Sequence, residues 1–463
     1  MILLLLRILV KSILLSVSIL SAGRTINAQL PLCGVGSSGL RCSEERSITA
    51  SHCLDRGCCW NPAVEPKCVD RDRHRLLTAF NSTISSWFSS FPWSQYSRDV
   101  LLQSDEYLRG DSYPRVYYAI FAGRSKFLNI HLQYCNVLLQ LNYVEEVHIW
   151  DVTAGDDEDT RDYISKFIRD TDLAGYRLFG LPSYSTTPSP LNFTSSYLWG
   201  SFYIHYLNTK RYSSTDILIK ADDDIVFIDL SHFARFINAV AAYEGPHLHF
   251  PNIINNDAGF IIQANRVNNS ALNKWMDFYT LGLHLNLSER MSMLHNGNSS
   301  QLDASEPLTT WRSGVHTHPE FAFDMHEAFL SSPWAFLKDS QQQLSSEEGR
   351  DRTIAIHGRI APNMFAGRMD VIQSCFQSFL RDHCCDFDYF TGTWSSIPGQ
   401  SNRVHADLLV SHFAFQLQYY AESTHSSAFE AIIAVYEEIA NKFSRAAAHL
   451  MKIKSEQRRR SLL

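Results

Sequence analysis

The sequence predicts an α/β fold, a mixed sheet flanked by helices, with a small disulfide-rich module ahead of it. Three observations carry that prediction. From Tyr113 onward, short apolar runs alternate with segments of helical period. One of those runs, ILIKADDDIVFI, is apolar on both faces, as a strand buried in a parallel or mixed sheet must be. Upstream, six of the ten cysteines crowd between Cys33 and Cys68, a segment too short to build a core of its own.

The first 28 residues begin MILLLLRILVKSILLSVSILSA, with Arg7 and Lys11 inside the apolar stretch and small residues, Ala28 among them, near a plausible cut. The longest charge-free piece, Ser12 to Gly23, spans only about 18 Å as a helix, against a hydrocarbon core of ~30 Å. A cleaved secretory signal is the expectation and an uncleaved signal anchor the alternative; a membrane association follows only from the second. Five N-x-S/T sequons, at Asn81, Asn192, Asn268, Asn286 and Asn298, agree with a lumenal or extracellular chain. The formal charge of −7 and pI near 6.2 leave no basic footprint for nucleic acid.

In an oxidising compartment the cluster Cys33, Cys42, Cys53, Cys58, Cys59 and Cys68 reads as a disulfide framework. A zinc knuckle is the alternative, but the adjacent Cys58 and Cys59 do not form paired C-x-x-C jaws. The order Thr49, Cys53, Cys58, Cys59, Trp60, Cys68 resembles the second half of a P-type trefoil domain, which sets a domain at 31–70. The family's pairing implies Cys33 with Cys59, Cys42 with Cys58 and Cys53 with Cys68. The family's basic residue three before the second cysteine is here Gly39, and Arg41 abuts Cys42. Trefoil domains often bind glycans or mucins, a role the resemblance extends to Trp60 and Pro62; packing of Trp60 on the disulfides is the plainer alternative.

Residues 71–112 read as a connector or stem with one helix near Leu76 to Phe88, and 113–425 as the large α/β domain. RVYYAIFAGR is a strand ending at Gly123, Lys126 to Leu141 a helix through Leu128, Leu132, Val137 and Leu141, and VEEVHIWDV a strand ending near Asp151. This is a βαβ unit, whose strand ends form a crevice of nucleotide size. Gly123 would allow close backbone approach, Arg124 would meet a phosphate, and Asp151 would accept from a ribose or base; turn glycine, surface arginine and strand cap are their ordinary roles. A helix from Asp159 to Asp170, capped by the acidic run before it, follows. Then come a strand at YRLFGL, a helix over Ser195 to Leu207, the aspartate strand, and a strand at HLHFPNII leading to Asn255 and Asn256.

Asp222, Asp223 and Asp224 stand at the carboxyl end of their strand. Carboxylates about 5 Å apart repel by roughly 3 kcal/mol at an effective dielectric near 20, which favours a bound cation. Side chains alternate in an extended segment, so Asp222 and Asp224 share one side as hard ligands for Mg²⁺ or Mn²⁺ while Asp223 faces the other. A solvated acidic turn between two strands is the competing possibility. Lys220, two before Asp222, shields the aspartates.

The βαβ start followed by an Asp-x-Asp strand resembles a GT-A glycosyltransferase, a Rossmann-type mixed sheet with helices. The resemblance implies Mn²⁺ or Mg²⁺ on Asp222 and Asp224, a nucleotide sugar donor with a UDP-sugar favoured, and Asp223 turned toward ribose or sugar. HCCDFDYF supplies Asp386 and Asp388, and LLVSHFAF supplies His412 after an apolar strand. Both phrases are similar to a largely uncharacterised eukaryotic group of GT-A-like proteins, in which they mark the catalytic acid and a metal-completing histidine. That group's acid is more often Asp-Glu; here Asp388 is favoured over Asp386 as base, and a core or surface position is the alternative for His412.

Cys135, Cys375, Cys384 and Cys385 with His383 invite zinc, but two disulfides, one joining Cys375 to Cys384 or Cys385, suit the compartment better. Between Gly259 and Asp351 the pattern is weak; Trp311, Trp334, His316, His318 and His326 suit acceptor binding or packing equally, with His316 and His318 placed in a loop. Phe429, Ile432, Ile433, Tyr436, Ile439, Ala440 and Phe443 recur at helical spacing, so 426–463 is an amphipathic helix docked on the domain, ending in a solvated basic tail. The expectation is a metal-dependent glycosyltransferase of the secretory pathway, Golgi lumenal or secreted, acting on a glycan or glycoprotein acceptor. A secreted glycan-binding or adhesion protein with an inactive transferase-like domain is the rival, and a metal-dependent hydrolase a third reading.

Overall fold

In a computed structural model, the structure describes residues 58–60, 68–70, 114–153, 158–170, 175–180, 200–256, parts of 259–275, 319–333, 335–336, 353–356, 360–382, 394, 399–413 and 426–462. The chain divides into two compact units, Met1–Arg75 and Leu76–Leu463. The predicted signal at 1–28, the helix near Leu76 to Phe88, His316, His318 and the Asp386–Asp388 motif lie outside the described residues.

Of the first unit, the structure describes two short strands, β1 (Cys58–Trp60) and β2 (Cys68–Asp70). They pair antiparallel, with Cys59 opposite Val69 and Trp60 opposite Cys68. Cys33, Cys42 and Cys53 lie outside the described residues, and with them the three implied disulfides.

The second unit is a mixed α/β domain built on a nine-stranded sheet. It opens as the sequence predicts. β3 (Val116–Ala122) leads through helix α1 (Ser125–Gln140) to β4 (Glu146–Asp151), then through α2 (Glu158–Asp170) to β5 (Tyr176–Gly180). Glu158 and Asp159 occupy the first turn of α2, where acidic residues complement the helix dipole. Helix α3 (Gly200–Asn208) precedes β6 (Ile217–Asp222), and β3, β4, β5 and β6 run parallel. Their carboxyl ends therefore lie together, at Ala122, Asp151, Gly180 and Asp222.

The other strands make the sheet mixed. β7 (Ile225–Ile228) and helix α4 (Leu230–Ala242) lead to β8 (His247–Ile254), and helix α5 (Pro319–Ser331) follows. β9 (Thr353–Ile356), β10 (Met364–Arg368), helix α6 (Met369–Asp382), β11 (Ser401–His412) and helix α7 (Ser426–Leu462) complete the unit. The strand order is β5-β4-β3-β6-β10-β8-β11-β7, with β9 on β11. β10 is antiparallel to β6 and β8, β11 is parallel to β8, and β7 and β9 are antiparallel to β11.

Away from the edge strand β5, both faces of the sheet are buried, which is why its central strands read as continuous apolar runs. Tyr118, Ile120 and Ala122 point into one core and Tyr117, Ala119 and Phe121 into the other. The first core takes helical residues from α1, α2, α4, α5 and α7, including Ile164, Phe233, Phe321 and Tyr436. The second takes them from α3 and α6, including Tyr203, Tyr206 and Ile372. Cys135 belongs to the first core and Cys375 to the second, so the sheet separates them. Both are free thiols whose pKa burial raises, which corrects the expected disulfides at these two positions. Among the described residues no helix is long and apolar enough to cross a membrane.

The apolar run holding the aspartates is not one strand. It breaks after Asp222 into a two-residue turn and resumes as β7. In the sheet order β6 and β7 are four steps apart, about 19 Å if the sheet were flat. Asp222 and Ile225 are three Cα–Cα links apart, at most about 11 Å. The sheet must therefore curl at this end, which brings the end of β11 across to the end of β6.

Candidate metal centre

Strand register assembles the centre. Phe121 of β3 stands opposite Asp222, so Gly123 and Arg124 follow just beyond it. Met364 of β10 stands opposite Ala221, so Asn363 flanks Asp222, whose N–H donates to the Asn363 carbonyl at 2.8 Å. His412 of β11 stands opposite Ile225, immediately after Asp224, and the Phe413 N–H donates to the Asp224 carbonyl at 2.9 Å. Two segments distant in sequence thus present Asp222, Asp224 and His412 with one ligand atom each, all within 4.8 Å of one another.

The alternation expected of an extended segment survives in the turn. Asp222 and Asp224 converge on His412, with Asp224 Oδ2 3.3 Å from His412 Nε2. Asp223 faces away, accepting from the Gly123 N–H at 2.8 Å and from Arg124 Nε at 3.0 Å and Nη2. Nor is this a solvated acidic turn: Asp223 is 3% exposed and Asp224 0%. Burial, with the charge of Asp224, raises the Asp223 pKa against the opposing pull of Arg124.

Two cations offset the three carboxylates. Lys220 is buried, its Nζ 2.6 Å from Asp222 Oδ1 and 2.9 Å from the Pro362 carbonyl, over the Phe121 ring at 4.7 Å. Arg124 reaches both Asp223 and Asp224, with Nη2 3.1 Å from Asp224 Oδ2. Burial alone would lower the Arg124 pKa; the charges of Asp223 and Asp224 outweigh it and hold the pKa raised.

Neutral partners fix the ligands. Asn363 Nδ2 donates to His412 Nε2 at 3.0 Å and lies 3.3 Å from Asp222 Oδ2, while its Oδ1 accepts from Asn256 at 3.1 Å. Asn255, at φ 60°, adopts the left-handed conformation that asparagine tolerates. Its side chain turns back to the Phe413 carbonyl at 2.9 Å. That carbonyl also accepts from His326 Nε2 at 2.7 Å, and His326 Nδ1 meets the Tyr436 hydroxyl of α7 at 2.9 Å. His326 is therefore a buried histidine behind the centre; burial lowers its pKa to about 4.

The donor set fits a divalent ion. Two carboxylates and an imidazole suit Mn²⁺ or Mg²⁺, with carboxylate oxygens in the majority. Two ligand atoms each about 2.1 Å from an ion stand at most about 4.2 Å apart, so the 4.8 Å spread needs only a small closure.

Other expected site residues are engaged locally. Asp151 Oδ1 accepts from the N–H of Thr153 at 3.0 Å and from its hydroxyl, forming a turn at the end of β4. A Cβ at Gly123 would meet Val152 at 3.4 Å and Asp223 at 3.7 Å, which is ordinary contact; the protein around it does not demand glycine there. Sequence reasoning missed Asn363, which touches both Asp222 and His412. Its only signal is the APN triplet ahead of β10, a strand that the amphipathic pattern alone did not single out.

Residues 37–69 match the Trefoil (P-type) domain family. The match contains five of the six clustered cysteines and begins after Cys33. No curated protein and no solved structure matches the chain.

Proposed function

We propose that the chain is a metal-dependent glycosyltransferase of the secretory pathway, using a nucleotide sugar and a glycan or glycoprotein acceptor. The observation that carries this reading is the convergence of Asp222, Asp224 and His412 at the carboxyl end of the parallel strands, where open α/β sheets receive ligands. A Mn²⁺ or Mg²⁺ ion held there supplies charge neutralisation for a departing nucleoside diphosphate.

The chain's own residues do the rest. Lys220 holds Asp222 Oδ1 and Asn363 approaches Oδ2, so this ligand is oriented from two sides. The Asn363 amide sits on the His412 Nε2 lone pair, a contact that an ion at Nε2 would replace, and the Phe413 peptide ties His412 to the Asp224 backbone. Arg124 offers a cation beside the crevice for an anionic group. Asp388, with Asp386 as the alternative, is assigned the acceptor hydroxyl's proton, the task of a general base in an inverting transfer. The trefoil module, whose family match and cysteine framework accord with the secretory sequons, is assigned to holding the glycoprotein substrate.

The test is hydrolysis and thermal stabilisation across a panel of UDP- and GDP-sugars with Mn²⁺. One or a few donors should raise the melting temperature and be turned over slowly, and Asp222→Asn with Asp224→Asn should abolish both. Stabilisation by glycans with no response to any nucleotide sugar would instead establish a non-catalytic glycan-binding protein.

A further inference from the structure

The centre already places a cation against one of its ligand carboxylates. Arg124 Nη2 lies 3.1 Å from Asp224 Oδ2, the same oxygen that stands 3.3 Å from His412 Nε2. The guanidinium is anchored elsewhere: Nε is 3.0 Å from Asp223 Oδ1, Nη2 shares that oxygen, and the group lies over the Phe127 ring at 5.2 Å. Asp223 is in turn fixed by the Gly123 N–H. The arginine therefore has one firm attachment, to Asp223, and one contact that competes with an ion, to Asp224.

The two cations of the centre differ in freedom. The Lys220 side chain is 4% exposed and bound at both Asp222 and Pro362, whereas that of Arg124 is 34% exposed. Three carboxylates against Lys220 and Arg124 leave one net negative charge. A divalent ion on Asp222 and Asp224 turns that into one net positive charge and repels the nearby guanidinium. An anion bound to the ion would remove the repulsion and offer the guanidinium a new partner.

We propose that Arg124 is a hinged latch: it occupies Asp224 until a divalent ion displaces it, pivots on Asp223, and closes on a phosphate-type anion carried by that ion. This deepens the reading of Asp222, Asp224 and His412 as a metal centre and rests on it. The latch makes ion and anion bind together better than either binds alone, and it makes Arg124 oppose the bare ion while favouring its anionic complex. A merely structural arginine would do neither.

The test is calorimetric titration of the full-length protein with Mn²⁺ alone and with preformed manganese–pyrophosphate, for the wild type, Arg124→Gln and Arg124→Lys. Arg124→Gln should bind Mn²⁺ alone at least about tenfold more tightly than the wild type, and manganese–pyrophosphate at least about tenfold more weakly. Arg124→Lys, whose single ammonium cannot bridge Asp223 and Asp224, should shift both affinities in the same directions by less; it carries the test if Arg124→Gln does not fold. Folded variants whose Mn²⁺ affinity equals or falls below that of the wild type would overturn the latch and leave the metal centre standing. Absence of Mn²⁺ binding in the wild type and both variants would overturn the metal centre, and the latch with it.

Discussion

Replacing His326 by leucine should weaken the fold at neutral pH and much less in mild acid. His326 donates from Nε2 to the Phe413 carbonyl at 2.7 Å, accepts at Nδ1 from the Tyr436 hydroxyl at 2.9 Å, and stacks on Phe413 with ring centroids 5.3 Å apart. Two buried hydrogen bonds contribute about 1 kcal/mol each, and the stack roughly 0.5–1 kcal/mol. Leucine should therefore cost about 2–3 kcal/mol at pH 7. The pH dependence has a definite sign. Burial lowers the His326 pKa from 6.5 to about 4, so between those values the unfolded chain binds the proton and the native state does not. The histidine's contribution is complete above about pH 6.5 and falls as the pH drops toward 4. At pH 5 the linkage amounts to about 2 kcal/mol of lost stability, a loss the leucine variant does not suffer. Urea unfolding at pH 7 and pH 5, with chelator present, should show the gap between variant and wild type shrink from about 2–3 kcal/mol to under about 1. A gap that stays constant or widens at pH 5 would refute a neutral, buried His326 bridging α7 and β11.

Lys220→Met should destabilise the domain by about 2 kcal/mol: breaking a buried ion pair costs several kcal/mol, discounted here because the Asp222 side chain is 27% exposed. Calorimetric melting measures it, and a melting temperature equal to that of the wild type would contradict the clamp on Asp222. At the start of α4, Asp229 accepts from Ser231 and from His232 Nδ1 at 2.6 Å. Burial opposes both charges, but their mutual attraction and hydrogen bonds win, lowering the Asp229 pKa and raising that of His232. The Asp229 contribution is present above its unfolded value near 3.8 and lost as the pH falls. The His232 contribution is complete below its unfolded value near 6.5 and lost as the pH rises. Asp229→Asn should thus lose more stability at pH 6 than at pH 9, and equal losses at both would exclude the pair. Native-state labelling should leave Cys135 and Cys375 unmodified, because burial raises their pKa and excludes reagent; rapid labelling of either, read by mass spectrometry, would count against the two cores.

The fold was legible where a local period is strong. β3, α1 and β4 fall within a residue or two of their expected bounds because Tyr118 and Ile120 alternate with Tyr117 and Phe121 in a strand, and Leu128 and Leu132 repeat at helical spacing. The terminal helix was legible for the same reason, from Phe429 to Phe443. Long-range pairing left no such trace. Nothing in ILIKADDDIVFI announces that β6 and β7 are separated by β10, β8 and β11, because a two-residue turn looks local while the curl that permits it is global. The centre was half legible. Asp222, Asp224 and His412 were marked by apolar strand ends, and the register brings them together. The pairing of Arg124 with Asp223 and Asp224 and the place of Asn363 went unnoticed, since partners across a sheet carry no sequence period.

On the proposal made above, Asp222, Asp224 and His412 hold one divalent ion. The most direct test is anomalous diffraction at the manganese edge from crystals of the protein grown with Mn²⁺. A single strong peak per chain is expected about 2 Å from a carboxylate oxygen of Asp222, one of Asp224 and a ring nitrogen of His412. With the protein ordered at these residues, no peak there, or a peak that persists in Asp224→Asn, would contradict it.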